Sequence, residues 1–472
     1  MPTTPAPASI RFERARLARD ARFDGLFYTA VKTTRIYCRP VCPAPTPKPA
    51  NVVYFETAAA AAAAGFRPCL RCRPELSPED RSGRARDQLP DLVLARIQEG
   101  ALDDQTASAL AAEFGAGERL LRRSFLARYG ITPQAAAATH RIHVAKQLLT
   151  ETRMAVTDVA YAVGFASLRR FHQAFAAATA MNPTQLRRND VAAPLPADAH
   201  RLRLAYRPPY DWPRTLTFLR QRALPGIERV GEHDYQRALP ELADSARLRV
   251  THDPAHHALV LELFALPTQS IPKVAQRVRR MFDLDADPQA VAATLAGQPL
   301  LEPLLRARPG LRVPTGFDPW ETAVRAVVGQ RISVAATRTL LTRMIASDGR
   351  FPSPDQLGLR DLAGIGLTRS RAATIQSLAR AVDSGRVHFR AGQSLDAFVE
   401  GLVQIPGIGP WTAHYIAMRA LGHPDAYPLG DLIVKRALGN PTPSQERARA
   451  DAWRPWRSYV VLHLWTAASE SP

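Results

Sequence analysis

The sequence predicts a multidomain α+β chain with four successive parts: a small cysteine-bearing domain, an all-α segment, a mixed α+β lobe and an all-α lobe. Three observations lead to this prediction. All four cysteines lie between residues 38 and 72 of a chain of 472 residues. A helical segment with an internal repeat follows them. Farther on, the apolar–polar alternation typical of strands gives way after Asp318 to helical periodicity. The predicted boundaries are 1–80, 85–190, 203–312 and 313–472.

The charge of the chain predicts a polyanionic partner. There are 62 Lys and Arg residues against 43 Asp and Glu, a net charge of +19, and all but five of the basic residues are arginine. Residues 1–190 hold 27 basic and 17 acidic groups, and the remainder holds 35 and 26. A bias of genome composition toward arginine would explain the residue type but not the excess. We therefore expect two basic surfaces, and the planar guanidinium group suits phosphate.

No segment is expected to enter a membrane. The apolar runs fall short of the roughly 18 residues that a transmembrane helix requires. Arg11 is the first residue with a charged side chain, and no apolar core is found in the N-terminal segment. This argues against a signal peptide. Four clustered cysteines in so long a chain do not form the disulfide framework of a small secreted protein. We therefore expect a cytoplasmic protein.

The cysteines form two close pairs, each expected in a turn. Cys38 and Cys42 are separated by three residues and Cys69 and Cys72 by two, the spacing of a tetrahedral zinc–thiolate site. A zinc ion that only holds a small domain together explains this spacing equally well. The local sequences are VKTTRIYCRPVC and AAGFRPCLRC, and they resemble the N-terminal domain of the Ada family. The arginines that flank the site are Arg39, Arg67, Arg71 and Arg73.

The resemblance to Ada implies that Cys38 accepts a methyl group from a methylated DNA phosphate. The other ligands of one Zn²⁺ would be Cys42, Cys69 and Cys72. Zinc keeps a bound thiol deprotonated, and the thiolate is the nucleophile. Methylation would remove one negative charge from the site and so strengthen the attraction to DNA phosphates.

The second part contains a repeat with an offset of 50 residues. Phe125 precedes Pro133 by eight residues, as Phe175 precedes Pro183, within the segments SALAAEFGAGERLLRRSF and DVAYAVGFASLRRFHQAF. Each segment reads as a helix-turn-helix, and two in register argue against a plain helical bundle. The pair resembles the AraC family. The predicted recognition helices are Glu118–Leu126 and Ser167–Phe175, joined by a long helix from about His140 to Glu151. The candidate DNA-contacting residues are Arg119, Arg122, Arg123, Arg169, Arg170, His172 and Gln173.

The C-terminal half carries a glycine hairpin in QIPGIGPWTAHYIAMRAL, where two glycines let the backbone approach phosphate closely. Asp431 follows it, and taken alone this aspartate reads equally as the N-cap of the helix LIVKRAL. Together with YRPPYDW at 206–212 and ARPGLRVPTGFDPWETAVRAVVGQRISV at 307–334, these segments resemble the AlkA-type helix-hairpin-helix DNA glycosylases. The resemblance implies a TBP-like α+β lobe and an all-α helix-hairpin-helix glycosylase lobe.

The same resemblance implies roles for individual residues. Asp431 would be the catalytic carboxylate, because departure of the base builds positive charge on the sugar. Trp411, Tyr415 and Trp465 would form the base pocket, where electron-rich rings suit an alkylated, cationic purine. Strand-cleaving relatives carry a lysine where Trp411 stands, so a monofunctional enzyme is expected. Arg331 stands where some relatives place an apolar wedge. The implied DNA contacts are Gln330, Arg331, Gly407, Gly409 and Thr412, and the hairpin could also hold a monovalent cation.

The predicted function is DNA alkylation repair and response. It combines a monofunctional glycosylase for alkylated purines, such as 3-methyladenine, with a transcription activator that senses methylphosphotriesters. The expected partners are double-stranded DNA and RNA polymerase at the bacterial nucleoid, with no membrane. The alternative is a transcription regulator whose glycosylase half binds DNA without catalysis. The second methyltransferase domain of Ada, with its Pro-Cys-His-Arg motif, is missing, so repair of O6-methylguanine is not expected.

Overall fold

The structure is a computed structural model, and it describes residues 7–78, 89–187, 196, 198–345, 348–390 and 393–470. The chain divides into two compact units. Of the described residues, the first contains those up to Pro208 together with Asp253–Ala275, and the second contains Pro209–His252 and those from Gln276 onward. The predicted boundaries at residues 80, 85 and 190 lie outside the described residues.

The cysteine-bearing part of the first unit is a four-stranded sheet with short helices. Strand Tyr28–Val31 pairs antiparallel with Ile36–Cys38 on one side and with Val52–Phe55 on the other. The two-residue strand Arg67–Pro68 lies parallel to Ile36–Cys38. The α-helices of this part are Pro7–Leu17 and Ala58–Ala63. Its small core contains Tyr28, Ala30, Tyr37, Ala61 and Phe66.

The next part of the first unit is helical, as predicted. Its α-helices are Leu89–Gln98, Ala101–Asp104, Ala107–Ala112, Glu118–Tyr129, Pro133–Glu151, Val156–Ala162, Leu168–Thr179 and Pro183–Leu186.

The predicted repeat is visible in this part. Phe125 and Phe175 are both fully buried. Pro133 and Pro183 each occupy the first turn of the helix that follows. The helix that links the two helix-turn-helix units begins at Pro133 rather than near His140, because proline is favoured at the first helical position. We call Pro133–Glu151 the linking helix.

Both recognition helices end later than predicted. The first is Glu118–Tyr129, and it ends where Gly130 adopts a φ of +69°. The second is Leu168–Thr179, and it ends at Ala180 with a φ of +55°. Ser167 lies outside the second helix and caps its N-terminus by accepting a hydrogen bond from a backbone N–H. The left-handed residue after each helix stops the chain from continuing as a helix.

The mixed lobe contains strands in both units. In the first unit, Ala199–Ala205 pairs antiparallel with Ala258–Phe264 over seven residues. In the second unit, strand Asp234–Ala238 pairs antiparallel with Glu228–Val230 and with Arg247–Asp253. Alternate residues of strands Ala258–Phe264 and Asp234–Ala238 are buried, which agrees with the alternation in the sequence.

Helices make up most of the second unit, and the predicted change to helical structure after Asp318 is confirmed. The α-helices that follow the strand Ala258–Phe264 are Ile271–Met281, Pro288–Leu295, Glu302–Ala307, Pro319–Val328, Val334–Thr342, Pro354–Leu359, Arg369–Asp383, Leu395–Val403, Pro410–Ile416, Leu432–Ala437, Pro443–Asp451 and Arg457–Glu470. Helix Trp212–Arg222 precedes the strands of this unit.

A buried ion-pair network fixes the first helix of the all-α lobe. Glu321 lies 2.6 Å from Arg237 and also pairs with Arg325, which in turn lies 2.7 Å from Glu228. Burial alone would raise the pKa of Glu321, yet the two guanidinium groups hold it well below its usual range. The position of this helix therefore depends on buried ion pairs that the sequence pattern does not reveal.

The fold class is confirmed as multidomain α+β. None of the helices described combines the length and the apolar character that spanning a lipid bilayer would require.

Candidate functional site

The four cysteines come together in the first unit. Each offers a sulfur atom, and the four sulfur atoms lie within 4.8 Å of one another. Cys38 is the last residue of a strand rather than part of a turn, so the expectation of two turns is wrong for this residue. Cys69 follows a strand directly, and its N–H donates to Tyr37 O, which fixes the two segments side by side.

The geometry fits one Zn²⁺. Zinc–sulfur bonds of about 2.3 Å in a tetrahedron place the sulfur atoms about 3.8 Å apart, and the Cys42 and Cys69 sulfurs are 4.0 Å apart. Cys69 and Cys72 are buried, whereas Cys38 and Cys42 are partly exposed. As whole residues, Cys38 and Cys42 are therefore less buried than Cys69 and Cys72.

A basic cleft opens beside the four cysteines. It has a volume of about 640 Å³ and is lined by Cys38, Cys42 and Cys69. Thr179, the last residue of the second recognition helix, lines the same cleft, as does Met181. Its arginines are Arg16, Arg19, Arg39, Arg67 and Arg71. Anionic ligands such as phosphates are therefore favoured next to the thiolates.

The flanking arginines differ in what they contact. Arg67 and Arg71 are exposed, as expected of surface residues. Arg39 is instead bound to the buried Asp24, with its Nε 3.0 Å from both carboxylate oxygens, and its backbone N–H donates to the Cys72 sulfur at 3.3 Å. Sequence reasoning missed Asp24, because the pairing joins residues that no local pattern connects.

Two buried contacts join the cysteine domain to the linking helix. The Tyr37 hydroxyl lies 2.8 Å from His143 Nε2. Burial lowers the pKa of His143 to about 3, so its ring is neutral at physiological pH. Lys146 Nζ lies 2.7 Å from the buried Glu75 carboxylate. These contacts hold the cysteine-bearing part, with Tyr37 next to Cys38, against the linking helix.

The recognition helices present a row of arginines to solvent. All five arginines among the candidate residues are exposed, and His172 is partly exposed. In the described parts of the chain, none of these five arginines forms an ion pair, although many other arginines do. Guanidinium groups that are free of acidic neighbours remain available to phosphates and base edges. The five exposed arginines are Arg119, Arg122, Arg123, Arg169 and Arg170.

Asp431 is the centre of the candidate active site in the second unit. It caps helix Leu432–Ala437, because Oδ1 accepts from the N–H groups of Ile433 and Val434 at 3.1 Å. The same oxygen accepts from Trp465 Nε1 at 2.9 Å, and Oδ2 faces Trp411 Nε1 at 3.3 Å. The N-cap role is therefore compatible with the predicted site role. Four N–H donors fix the orientation of one buried carboxylate.

The three predicted pocket aromatics lie together at this carboxylate. The rings of Trp411 and Tyr415 stack with centroids 5.4 Å apart and an interplanar angle of 21°. Tyr415 also contacts Trp465 at 6.0 Å. All three rings are partly exposed, so each retains a face that a planar ligand can cover.

Sequence reasoning missed the residues behind Tyr415. Phe218 lies against the guanidinium groups of Arg222 and Arg419, which are 3.8 and 4.3 Å from its ring centroid. Phe218 and Arg222 are four residues apart on helix Trp212–Arg222, so this spacing is the one signal that could have paired them.

The glycine hairpin lies at the surface and is tied to a second loop. Gly407 has a φ of +90°, and a Cβ atom there would come within 2.0 Å of the Thr374 hydroxyl, so glycine is required. Gln330 Nε2 donates to Gly407 O at 3.0 Å and to the buried Thr412 hydroxyl at 2.9 Å. Gly409 is exposed and precedes helix Pro410–Ile416. The predicted DNA contacts thus form one connected structure.

Arg331 follows Gln330 at the rim of this structure. Its side chain is exposed and its φ is +57°, a left-handed conformation that costs a non-glycine residue about 1 kcal/mol or more. The backbone carbonyl of the preceding Gln330 accepts a hydrogen bond from Arg371.

Comparisons with known proteins follow the same division of the chain. Residues 11–75 match the metal binding domain of Ada, residues 110–189 a helix-turn-helix domain, and residues 201–318 the AlkA N-terminal domain. DNA-3-methyladenine glycosylase 2 of Escherichia coli is 33% identical over 57% of this chain and 98% of its own length. The bifunctional transcriptional activator/DNA repair enzyme AdaA of Bacillus subtilis is 32% identical over 37% of this chain and 80% of its own length.

One relative matches the entire arrangement. It is a probable bifunctional transcriptional activator/DNA repair enzyme AlkA from Mycobacterium tuberculosis, 37% identical over 97% of this chain and 96% of its own length. The predicted resemblance to a fusion of Ada-type, helix-turn-helix and AlkA-type parts is confirmed. The chain therefore belongs to the family of bifunctional AlkA-type transcriptional activators and DNA repair enzymes.

Proposed function

We propose that the protein excises alkylated purines from DNA and activates transcription in response to methylated DNA phosphates. The observation that carries the first activity is the Asp431 carboxylate, held by two indole N–H groups beside a partly exposed aromatic cluster. The names of its relatives agree, since they include a DNA-3-methyladenine glycosylase and bifunctional activator/repair enzymes.

Excision begins when a damaged nucleotide leaves the duplex and its base stacks on the exposed side of the cluster of Trp411, Tyr415 and Trp465. Stacking and cation–π attraction favour a base that carries positive charge. The C1′–N bond then breaks, and its electron pair leaves with the base. Asp431 stabilises the positive charge that develops on the sugar and orients the water that attacks C1′. The hydrolysis leaves an abasic site.

The strand should stay intact after excision. Strand cleavage by glycosylases of this type requires an amine that attacks C1′ and forms a Schiff base. Trp411 stands at the position where strand-cleaving relatives carry that amine. Lys435 is the one lysine between residues 276 and 472, and it belongs to the helix that Asp431 caps.

The hairpin and the loop before it would hold the DNA backbone. The exposed Gly407 and Gly409 allow a phosphate to approach the backbone, with Thr412 directly behind them. Gln330 and Arg331 would contact the duplex beside the vacated position. A monovalent cation at the hairpin remains a proposal that rests on the family resemblance.

For the sensor, we propose that the Cys38 thiolate attacks the methyl carbon of a methylphosphotriester. The new S–CH₃ bond forms as the CH₃–O bond breaks, and the electron pair of that bond stays on the phosphate oxygen. The products are a thioether and an ordinary phosphodiester. Zinc bound to the four sulfurs supplies the deprotonated thiol and holds the domain together. The basic cleft of about 640 Å³ beside Cys38 supports this proposal.

The loss of one negative charge at the cysteines would strengthen DNA binding by the recognition helices. The contacts of Tyr37 with His143 and of Glu75 with Lys146 would let the two modules bind as one body. RNA polymerase at the bacterial nucleoid is the proposed partner for activation.

A single experiment separates the proposal from its alternative, a DNA-binding regulator without catalysis. Duplexes containing 7-methylguanine or hypoxanthine are incubated with the full chain and with Asp431→Asn, and abasic sites are detected by alkaline cleavage. Excision by the wild type that depends on Asp431 supports the proposal. Binding of the duplex without excision would support the alternative.

A further inference from the structure

Two guanidinium groups converge on one end of the aromatic cluster. Arg222 and Arg419 both lie against the Phe218 ring, and the Tyr415 hydroxyl is within reach of both groups. Arg222 ends helix Trp212–Arg222 one turn after Phe218. Arg419 follows Tyr415 by four residues. Each arginine thus lies one helical turn beyond an aromatic residue that it contacts.

These two arginines lack the acidic partners that some other arginines of this unit, such as Arg237, have. Among the residues that the structure describes, no carboxylate lies within ion-pair distance of Arg222 or Arg419, whereas the nearby Arg325 pairs with Glu228 and Glu321. Arg419 is 5% exposed and donates to a backbone carbonyl. A buried charge without a counter-ion destabilises a fold by several kcal/mol. A specific role would explain why both are present.

Both groups keep their charge at physiological pH. Burial lowers the pKa of Arg419 to about 10, and it also lowers the pKa of Arg222 from its usual value. A pKa of about 10 leaves Arg419 charged at pH 7, and guanidinium groups do not lose their proton in proteins. The end of the cluster behind Tyr415 is therefore positively charged.

The opposite end of the cluster is negatively charged. Tyr415 stacks on Trp411, whose indole nitrogen faces the Asp431 carboxylate at 3.3 Å. A nucleotide whose base lies on these rings and whose sugar faces Asp431 has a carboxylate at its sugar and guanidinium groups beyond its base. This polarity matches the separation of charge in the reaction, because the sugar becomes positive as electrons move to the base.

How much the two guanidinium groups stabilise the departing base depends on the charge of that base. When the C1′–N bond of 7-methylguanine breaks, the electron pair neutralises a cation, so the departing base needs no positive partner. When the same bond breaks in neutral hypoxanthine, the base departs as an anion until it takes up a proton. Fixed positive charge beyond the base stabilises that anion and has little effect on a neutral leaving group.

We propose that Arg222, supported by Arg419, is a specificity-determining residue that allows the site to release neutral purines with an exocyclic oxygen as well as cationic ones. The inference deepens the proposed glycosylase function and rests on it. Arg222 is partly exposed and Arg419 is buried, so Arg222 would be the group nearer to the departing base and Arg419 would add charge behind it. Without these groups, the aromatic cluster and Asp431 would still serve cationic bases.

The test compares two lesions in one duplex sequence. Single-turnover excision rates of hypoxanthine and of 7-methylguanine are measured for the full chain, for Arg222→Gln and Arg222→Met, and for Arg222→Lys. Arg220→Met is the matched control, because Arg220 is exposed on the same helix and donates to Gly231 O. We expect the two neutral variants to lose about 10- to 100-fold on hypoxanthine and less than about threefold on 7-methylguanine. Arg222→Lys should restore most of the hypoxanthine rate.

The ratio of the two rates decides the inference. Equal losses on both lesions in the neutral variants would mean that Arg222 is only structural, and would overturn it. A selective loss on hypoxanthine that lysine does not restore would also overturn it, because charge would then not be the cause. A wild-type protein that excises neither lesion would refute the proposed function instead.

Discussion

The substitution Asp431→Asn tests the proposed catalytic role with little disturbance of the fold. Oδ1 accepts three hydrogen bonds, from the N–H groups of Ile433 and Val434 and from Trp465, so the asparagine oxygen should occupy this position. Asparagine is as good an N-cap as aspartate, whereas alanine would cost about 1 kcal/mol of stability. The asparagine amide would then face the Trp411 N–H, which loses its acceptor. The main change is the loss of one negative charge.

The expected loss of excision rate follows from the loss of that charge. Opposite unit charges about 5 Å apart at an effective dielectric constant of about 20 attract by about 3 kcal/mol. Removal of one preorganised electrostatic partner costs a similar 3–4 kcal/mol, or about 10²–10³ in rate. We expect Asp431→Asn to lose about this much on hypoxanthine. The loss should be smaller on 7-methylguanine and 3-methyladenine, because a cationic base already leaves easily.

The assay measures single-turnover rates on duplexes that carry one lesion, with abasic sites revealed by alkali. Asp451→Asn is a matched control, because Asp451 is an exposed aspartate at the end of another helix of the same unit. Thermal unfolding confirms that both variants fold. An Asp431→Asn protein that folds and excises hypoxanthine within threefold of the wild-type rate would refute the assignment.

Four further outcomes are expected. Elemental analysis should find one zinc per chain in protein purified without chelator, and Cys42→Ser should lose it together with the fold of the cysteine domain. After treatment with methylphosphotriester DNA, mass spectrometry should place one methyl group on Cys38, with tighter promoter binding; a methyl elsewhere would contradict the sensor mechanism. Borohydride should trap no covalent wild-type enzyme–DNA adduct, and an adduct would direct attention to Lys435. Because its partners hold the pKa of Glu321 below that in the unfolded chain, its contribution to stability is present near neutral pH and lost as acid approaches the folded pKa. The destabilisation caused by Glu321→Gln in urea unfolding should therefore shrink below about pH 4.

The sequence by itself determined the features that depend on spacing along the chain. The two cysteine pairs predicted a zinc site, and the structure gathers all four sulfurs. The offset of 50 residues predicted two equivalent helix-turn-helix units, and Phe125 and Phe175 occupy equivalent buried positions. Periodicity predicted the helices after Asp318 because helical amphipathicity is local. Helix ends were less certain, since the linking helix starts at Pro133, earlier than the pattern suggested.

The tertiary structure decided which distant residues meet. No local pattern connects Asp24 with Arg39, or Tyr37 with His143, although both pairs are in contact. The sequence left Asp431 as either an N-cap or a site residue, and the structure shows the N-cap together with two indole nitrogens that approach the carboxylate from other helices.

The positive charge at the far end of the aromatic cluster also results from residues that are distant in the chain. Arg222 and Arg419 are 197 positions apart in the chain and meet at Phe218. The spacing of residues along the sequence shows which of them share one helix face. Contacts between elements depend instead on how the elements pack. That packing is set by the whole core and is not encoded in any single segment.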